Sequence, residues 1–473
     1  MQTSRFEPRC RKSRLAAMSL ALVLEGGCGP SRVRAVPVHV DGEDAVPSVQ
    51  PAFRELRDAL APGYNSPPGV KQECLGRLVF DVPRPVEWPT FYDGYTDEVF
   101  NRSFSRSVID PGDEMRFGNT MVAVIGSVGG VTKERVLEST PAALEGHLKT
   151  RIKEKSAYIA RLREKGGDKE ESAKAIGEEE ERIRGWEQTI VKNKENFTPF
   201  DPGLPNSEGY STSRIEANDE TLRYSVLRAY VTRGEFLYVF ESSVRMFKPS
   251  DKEEHKKNFT GMLAKFRTRA PNEIPTELGV CIPFGFIPDD GKTVTEFKQS
   301  LRFPDAPGVL FTIQTGNVHP RRIKLPPLLA TARAIMNPGA ANEDEQIKPV
   351  VTQRIGPRAR TIGALRGSQG GVVLEVTHAG REKYDMYSIF TGYPGWLGSA
   401  VLPYILIDMR SISKAQAPEL KQNPPPFKPS MDRLDILLKS MRLRRTNPTM
   451  PELVQASLPA KQMSTDEFTS HAR

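Results

Sequence analysis

The tetrapeptide Phe247-Lys-Pro-Ser250 recurs as Phe427-Lys-Pro-Ser430, each time after strand-forming residues and before a helical stretch that ends in arginines. A chain that repeats its punctuation is expected to repeat the unit around it. Ser250 with Glu253 reads as a capping box opening a helix that ends near Arg267. The second copy opens a helix over Met431 to Met441, running out into Arg442, Arg444 and Arg445. Cys74 and Cys281 each begin an apolar run near the start of their half, which extends the parallel. The expected fold class is α+β: two related α+β domains with antiparallel sheets, meeting near Pro271 to Pro275.

The first half is the longer one, and a helical hairpin over 142–193 accounts for the excess as an insertion. Leu144, Leu148, Ile152, Ile159 and Leu162 share one helical face. Ile176, Ile183, Trp186 and Ile190 do so after the Gly166-Gly167 break, and charged residues fill the outer faces. Two antiparallel helices zipped by their apolar stripes explain the pattern, and such an arm could also grip a partner. Cys74 to Pro83 and Met121 to Val128 read as strands, and Thr221 to Val231 with Phe236 to Met246 as a β-hairpin.

The first residues bear on compartment. Arg5, Arg9, Arg11, Lys12 and Arg14 precede the apolar run Leu15 to Leu24, the pattern of a cleaved export signal. Residues 1–27 form that signal, and 28–70, rich in proline, a tether with one short helix around Ala52 to Leu60. The first domain spans 71–272, the second 273–445, and 446–473 is read as a disordered tail. Cys28 follows Gly26-Gly27 and is the candidate lipidation site and membrane anchor, although Glu25 stands where a lipoprotein signal normally has an aliphatic residue. Cleavage lowers the net charge from +8 to +5. The charge is spread along the chain with no basic block interleaved with aromatics, so nucleic acid is not an expected partner. Cys74 and Cys281 remain as a disulfide candidate in an oxidising compartment, the alternative being two buried free thiols.

No complete signature of chemistry emerges, and neither a metal nor a cofactor is expected. Gly285 to Thr293 ends like a phosphate-binding loop but has one residue too many between its glycines. Asp289 and Asp290 would repel a phosphate, and a turn at Asp290-Gly291 between two strands explains the segment. The glycine-rich stretch from Gly126 lacks a Gly-Lys-Ser/Thr ending, and Gly367 to Gly370 has the wrong spacing for a nucleophile elbow. His147 and His255 fall on helix surfaces, His319 in a loop and His378 at a strand end, with no metal-ligand spacing among them.

The opening of the first half, Cys74-Leu-Gly-Arg-Leu-Val-Phe-Asp-Val-Pro83, resembles the start of the immunity proteins cognate to type VI secretion lipase effectors. Glu277-Leu-Gly-Val-Cys-Ile-Pro-Phe-Gly-Phe-Ile287 looks like the start of the same family's C-terminal domain. The resemblance spans about residues 71–445 and carries no active-site residue. It implies a periplasmic, non-enzymatic protein whose two domains clamp a secreted phospholipase effector and block the movement that exposes its active site. The rival readings are a periplasmic hydrolase acting on lipid or peptidoglycan, and an envelope scaffold lipoprotein.

Overall fold

A computed structural model describes residues 53–89, 114–126, 132–165, 169–216, 219–317, 348–378, 382–414, 417 and 420–457. Two short hairpins carry the cysteines. In the first, β1 (Lys71–Leu75) turns through Gly76-Arg77 into β2 (Leu78–Val82); in the second, β10 (Gly279–Ile282) turns through Pro283-Phe284 into β11 (Gly285–Pro288). Their registers correspond: Cys74 faces Val79, and Cys281 faces Phe286.

Each hairpin is followed by a second one. The first half has β3 (Glu114–Phe117) and β4 (Thr120–Ile125); the second has β12 (Thr295–Phe303) and β13 (Ala306–Gly316). A four-strand meander comes next in each. It comprises β5 (Thr198–Phe200), β6 (Ser207–Glu216), β7 (Asp219–Arg233) and β8 (Phe236–Met246) in the first half. The second half has β14 (Lys348–Ile362), β15 (Leu365–His378), β16 (Glu382–Tyr393) and β17 (Tyr404–Ser411). A helix then closes each unit, α5 (Ser250–Leu263) and α6 (Phe427–Ser440), followed by a two-residue strand, β9 (Arg267–Thr268) and β18 (Arg442–Leu443). The preceding helices are α1 (Phe53–Asp58), α2 (Lys133–Leu137), α3 (Pro141–Lys165) and α4 (Lys169–Asn196); α7 is Pro451–Ser457.

All described strand pairs are antiparallel, and the strand order gives away the repeat. Twelve strands form one sheet in the order β14-β15-β16-β17-β13-β12-β3-β4-β8-β7-β6-β5. Read outward from the β3/β12 seam, both wings run hairpin strand, hairpin strand, then the meander from its last strand to its first. The halves are therefore related by a pseudo-two-fold axis through that seam. They also exchange their last strands: β18 pairs with β2 of the first half, and β9 with β11 of the second. Pro51–Arg473 is accordingly one compact unit. Its main core draws Phe80 and Phe240 from one half together with Phe297, Phe311, Ile389 and Leu434 from the other.

The exchanged strands align the closing helices independently of the tetrapeptide. Arg267 faces Phe286 as Arg442 faces Val79, so Arg267 corresponds to Arg442. The buried residues His255, Phe259, Leu263 and Phe266 then match the buried Ser430, Leu434, Leu438 and Met441. In this frame the two Phe-Lys-Pro-Ser copies are not equivalent, for Phe247 lies five positions out of phase with Phe427 (about one and a half turns of helix). The repeat is real, but the tetrapeptide does not mark it.

The capping box is likewise corrected. Ser250 makes no cap hydrogen bond; the carboxylate of Asp251 accepts the backbone N–H groups of Phe247 and Lys248 at 2.8 and 3.0 Å. Those bonds hold its carboxyl below the usual carboxylate range. The second copy sits inside the first turn of α6, where buried Ser430 meets the hydroxyl of Tyr387 at 2.7 Å.

Two segments expected outside the fold belong to it. Leu56 of α1 is buried in the core and Glu55 accepts the Tyr393 hydroxyl, so the end of the expected tether is structural. Residues 446–457, expected in a disordered tail, carry α7, whose Glu452 accepts the backbone N–H groups of Ala400 and Val401.

Candidate interaction surfaces

Cys74 and Cys281 lie side by side at the pseudo-axis. They form a disulfide with an S–S distance of 2.09 Å and a Cα–Cα distance of 5.7 Å. Gly76 and Cys281 exchange both backbone hydrogen bonds at 2.8 Å. Gly76 holds φ +57, and a Cβ there would come within 3.2 Å of the Phe297 ring, so the turn favours glycine.

Buried charges surround the bridge. Arg269 donates to Glu73 at 2.8 Å, and Arg77 grips both oxygens of Asp289. Asp289 of the decoy segment therefore serves an ion pair. Its Oδ1 also accepts the N–H of Gly291 at the expected turn, where φ is +79. Arg444 donates to the carbonyls of Pro275, Glu277 and Gly279. Burial, and then Arg77 nearby, pulls Arg444 down to about 10, which still leaves it charged at neutral pH. These groups are paired inside the protein, except that the buried Nε atoms of Arg77 and Arg444 have no hydrogen-bond partner. They hold the halves together and present nothing to a ligand.

His255, expected on a helix surface, is buried. Its Nδ1 lies 2.9 Å from the Ser225 hydroxyl and its Nε2 2.9 Å from that of Ser242. Burial lowers its pKa. Both ring nitrogens are occupied by hydroxyls, an arrangement that anchors α5 to β7 and β8. His147 is exposed on α3, while His319 and Cys28 fall outside the described residues. Among the described residues no group of His, Cys, Asp and Glu could hold a metal ion, and no helix is long and apolar enough to cross a membrane.

Among the described residues, two surfaces stand out as open to a partner. The first is the α3–α4 hairpin. Its 25-residue first helix is ~37 Å long at 1.5 Å per residue. Leu148 and Ile159 are buried in its seam, and Lys155–Glu179 (2.8 Å) and Arg163–Glu180 (2.7 Å) bridge the helices. At the base, Lys149 and Lys194 both reach Glu145, and the Ala142 N–H donates to the Tyr210 hydroxyl. The Lys155 bond holds the Glu179 carboxyl below its ordinary range.

The second is a groove of ≈ 500 Å³ between α5, the end of β8 and the β3–β4 turn. Phe117, Phe259 and Met262 make its apolar surface, with His255 and Ser242 beneath. Phe247 stands at the lip, 80% exposed, with the Arg245 guanidinium 4.9 Å from its ring centroid. No interface residue is marked by the sequence alone. The one available signal was Phe247 itself, an aromatic followed by Lys-Pro-Ser outside any apolar pattern.

Residues 273–446 match the family model for the Tle cognate immunity protein 4 C-terminal domain. Among solved structures, the chain is similar at 16% identity to the apo immunity protein TplEi of the T6SS from Pseudomonas aeruginosa. That match has a TM-score of 0.41 and covers 80% of this chain and 98% of that one. The same protein complexed with "L" peptide matches at 16% identity and a TM-score of 0.41, over 80% and 100% of the two chains. A chain of the Tle4–Tli4 complex matches at 16% identity and a TM-score of 0.43, over 81% and 100%. No curated protein sequence matches. Over residues 273–446, therefore, the chain is similar to the C-terminal domain of the Tle cognate immunity proteins.

Proposed function

We propose that this chain is a periplasmic immunity protein that binds a cognate type VI secretion phospholipase effector and silences it by gripping it with both halves. The observation that carries the reading is the family domain over 273–446. Immunity proteins act by binding, so no turnover is asked of this chain. Two features support the location. The Arg-rich start followed by Leu15 to Leu24 has the pattern of an export signal. The Cys74–Cys281 bridge suits an oxidising compartment. Cys28 is where a lipid would be joined to the exported chain.

The fused wings support the grip. One sheet with a shared core presents two related surfaces at fixed spacing, so engaging one brings the second to its target without further loss of freedom. The test reads the adjacent reading frame, where this proposal expects a phospholipase, and expresses that enzyme in the periplasm with and without this chain. Cells carrying both are expected to survive, and purified protein is expected to leave ester and glycan substrates untouched. Equal killing in the two strains ends the proposal.

A further inference from the structure

The pseudo-symmetry lets each half be compared with the other, and one difference lies where the closing helix meets the second hairpin. Phe117 pairs with Thr120 across the Gly118-Asn119 turn as Phe303 pairs with Ala306 across Pro304-Asp305, so Asn119 corresponds to Asp305. The alignment of the closing helices puts Asn258 where Arg433 stands. In the second half these positions are locked. Arg433 donates to Asp305 at 2.8 Å and lies 4.8 Å from the Phe303 ring centroid. A strap leaving β2 adds to the lock: Arg84 donates to the same Asp305 oxygen at 3.0 Å. The strap's Glu87 also exchanges backbone hydrogen bonds with Arg302 at 2.9 and 3.0 Å, and its Trp88 is buried.

In the first half two exposed asparagines replace the lock, and the groove beside α5 stands open. Its wall carries Glu254, exposed and without an ion-pair partner among the described residues. Its lip carries the exposed Phe247 under Arg245, an aromatic–arginine pair of the kind that dominates protein interfaces.

We propose that this groove receives an extended segment of the effector that presents one cationic and one apolar side chain. The cation meets Glu254, and the apolar group packs on Phe247, Phe259 and Met262. The segment would do from outside what Arg84 and its strap do within the second half. The inference rests on the effector-binding reading above and narrows it to one surface.

The experiment builds the second half's lock into the first. Full-length Asn119→Asp/Asn258→Arg, Phe247→Ala and Glu254→Lys are titrated with an inactivated form of the phospholipase expected from the adjacent reading frame. Each variant is expected to bind at least about tenfold more weakly than the parent. All four positions are exposed, so the unfolding midpoints should stay near the parent's. If the parent binds and all three variants bind equally well, the groove is excluded while the effector-binding reading stands. If the parent itself does not bind, that reading falls and takes the groove with it. A dimer of this chain that Phe247→Ala disperses would assign the groove to self-association and overturn the proposal.

Discussion

At the scale of single residues, His255 shows what a sequence hides. Its spacing on α5 and its polar character read as a surface histidine, because a helix in isolation does not say which face a sheet will cover. Two serines from strands 13 and 30 positions away supply the partners that let it be buried. Since burial depresses its pKa, the folded state binds the proton less readily than the unfolded chain. Stability from this site is therefore complete above the unfolded value of about 6.5. It is lost as pH falls below that value toward the folded pKa. The unfolding midpoint is expected to drop between pH 7.5 and pH 5, and His255→Gln should flatten that part of the curve. A variant as pH-sensitive as the parent would show that other groups govern the slope.

At the scale of elements, most strands and the helical hairpin were legible, whereas the Gly76-Arg77 turn that breaks the expected Cys74 to Pro83 strand, and the caps, were not. Phe236–Met246 reads directly from its run of Phe, Tyr and Val, and the apolar stripes of α3 and α4 face each other as their spacing requires. Periodicity reports a face, and these elements need little more. The Phe-Lys-Pro-Ser copies depend on context. In one the serine is exposed and the following aspartate caps the helix; in the other the serine is buried against Tyr387. Identical residues thus do different work. Asp251→Ala is expected to lower the unfolding midpoint, whereas Ser250→Ala leaves it unchanged. Ser430→Ala should cost about 1 kcal/mol through its lost hydrogen bond. Equal effects of the two serine substitutions in chemical denaturation would contradict these assignments.

At the scale of the molecule, the sequence pointed to two related units without showing how they join. The β3–β12 seam, the pairing of β18 with β2, and the Arg269–Glu73 and Arg77–Asp289 pairs link residues 178 to 365 positions apart. No local pattern encodes such pairings. The cysteines hinted at one, and their bridge closes a loop across 207 residues. The exchange has a consequence for any attempt to divide the chain near Pro271. A first half ending there keeps β9 but loses β18, leaving an edge of β2 unpaired. It also strips Arg77 of Asp289 and of the Gly279 and Thr293 carbonyls, and it uncovers the first half's share of the common core. The second half alone likewise loses β9, and α6 loses the strand β2 beside which its chain ends. Neither half should then protect cells from the lipase, and the intact chain should unfold in one cooperative transition. Cys74→Ser/Cys281→Ser should lower that transition by about 2–5 kcal/mol without splitting it, because the seam and the exchanged strands remain. Calorimetry showing two separable transitions, or full protection by residues 71–272 alone, would mean that the halves work independently and that gripping by a fused pair is not how this protein acts.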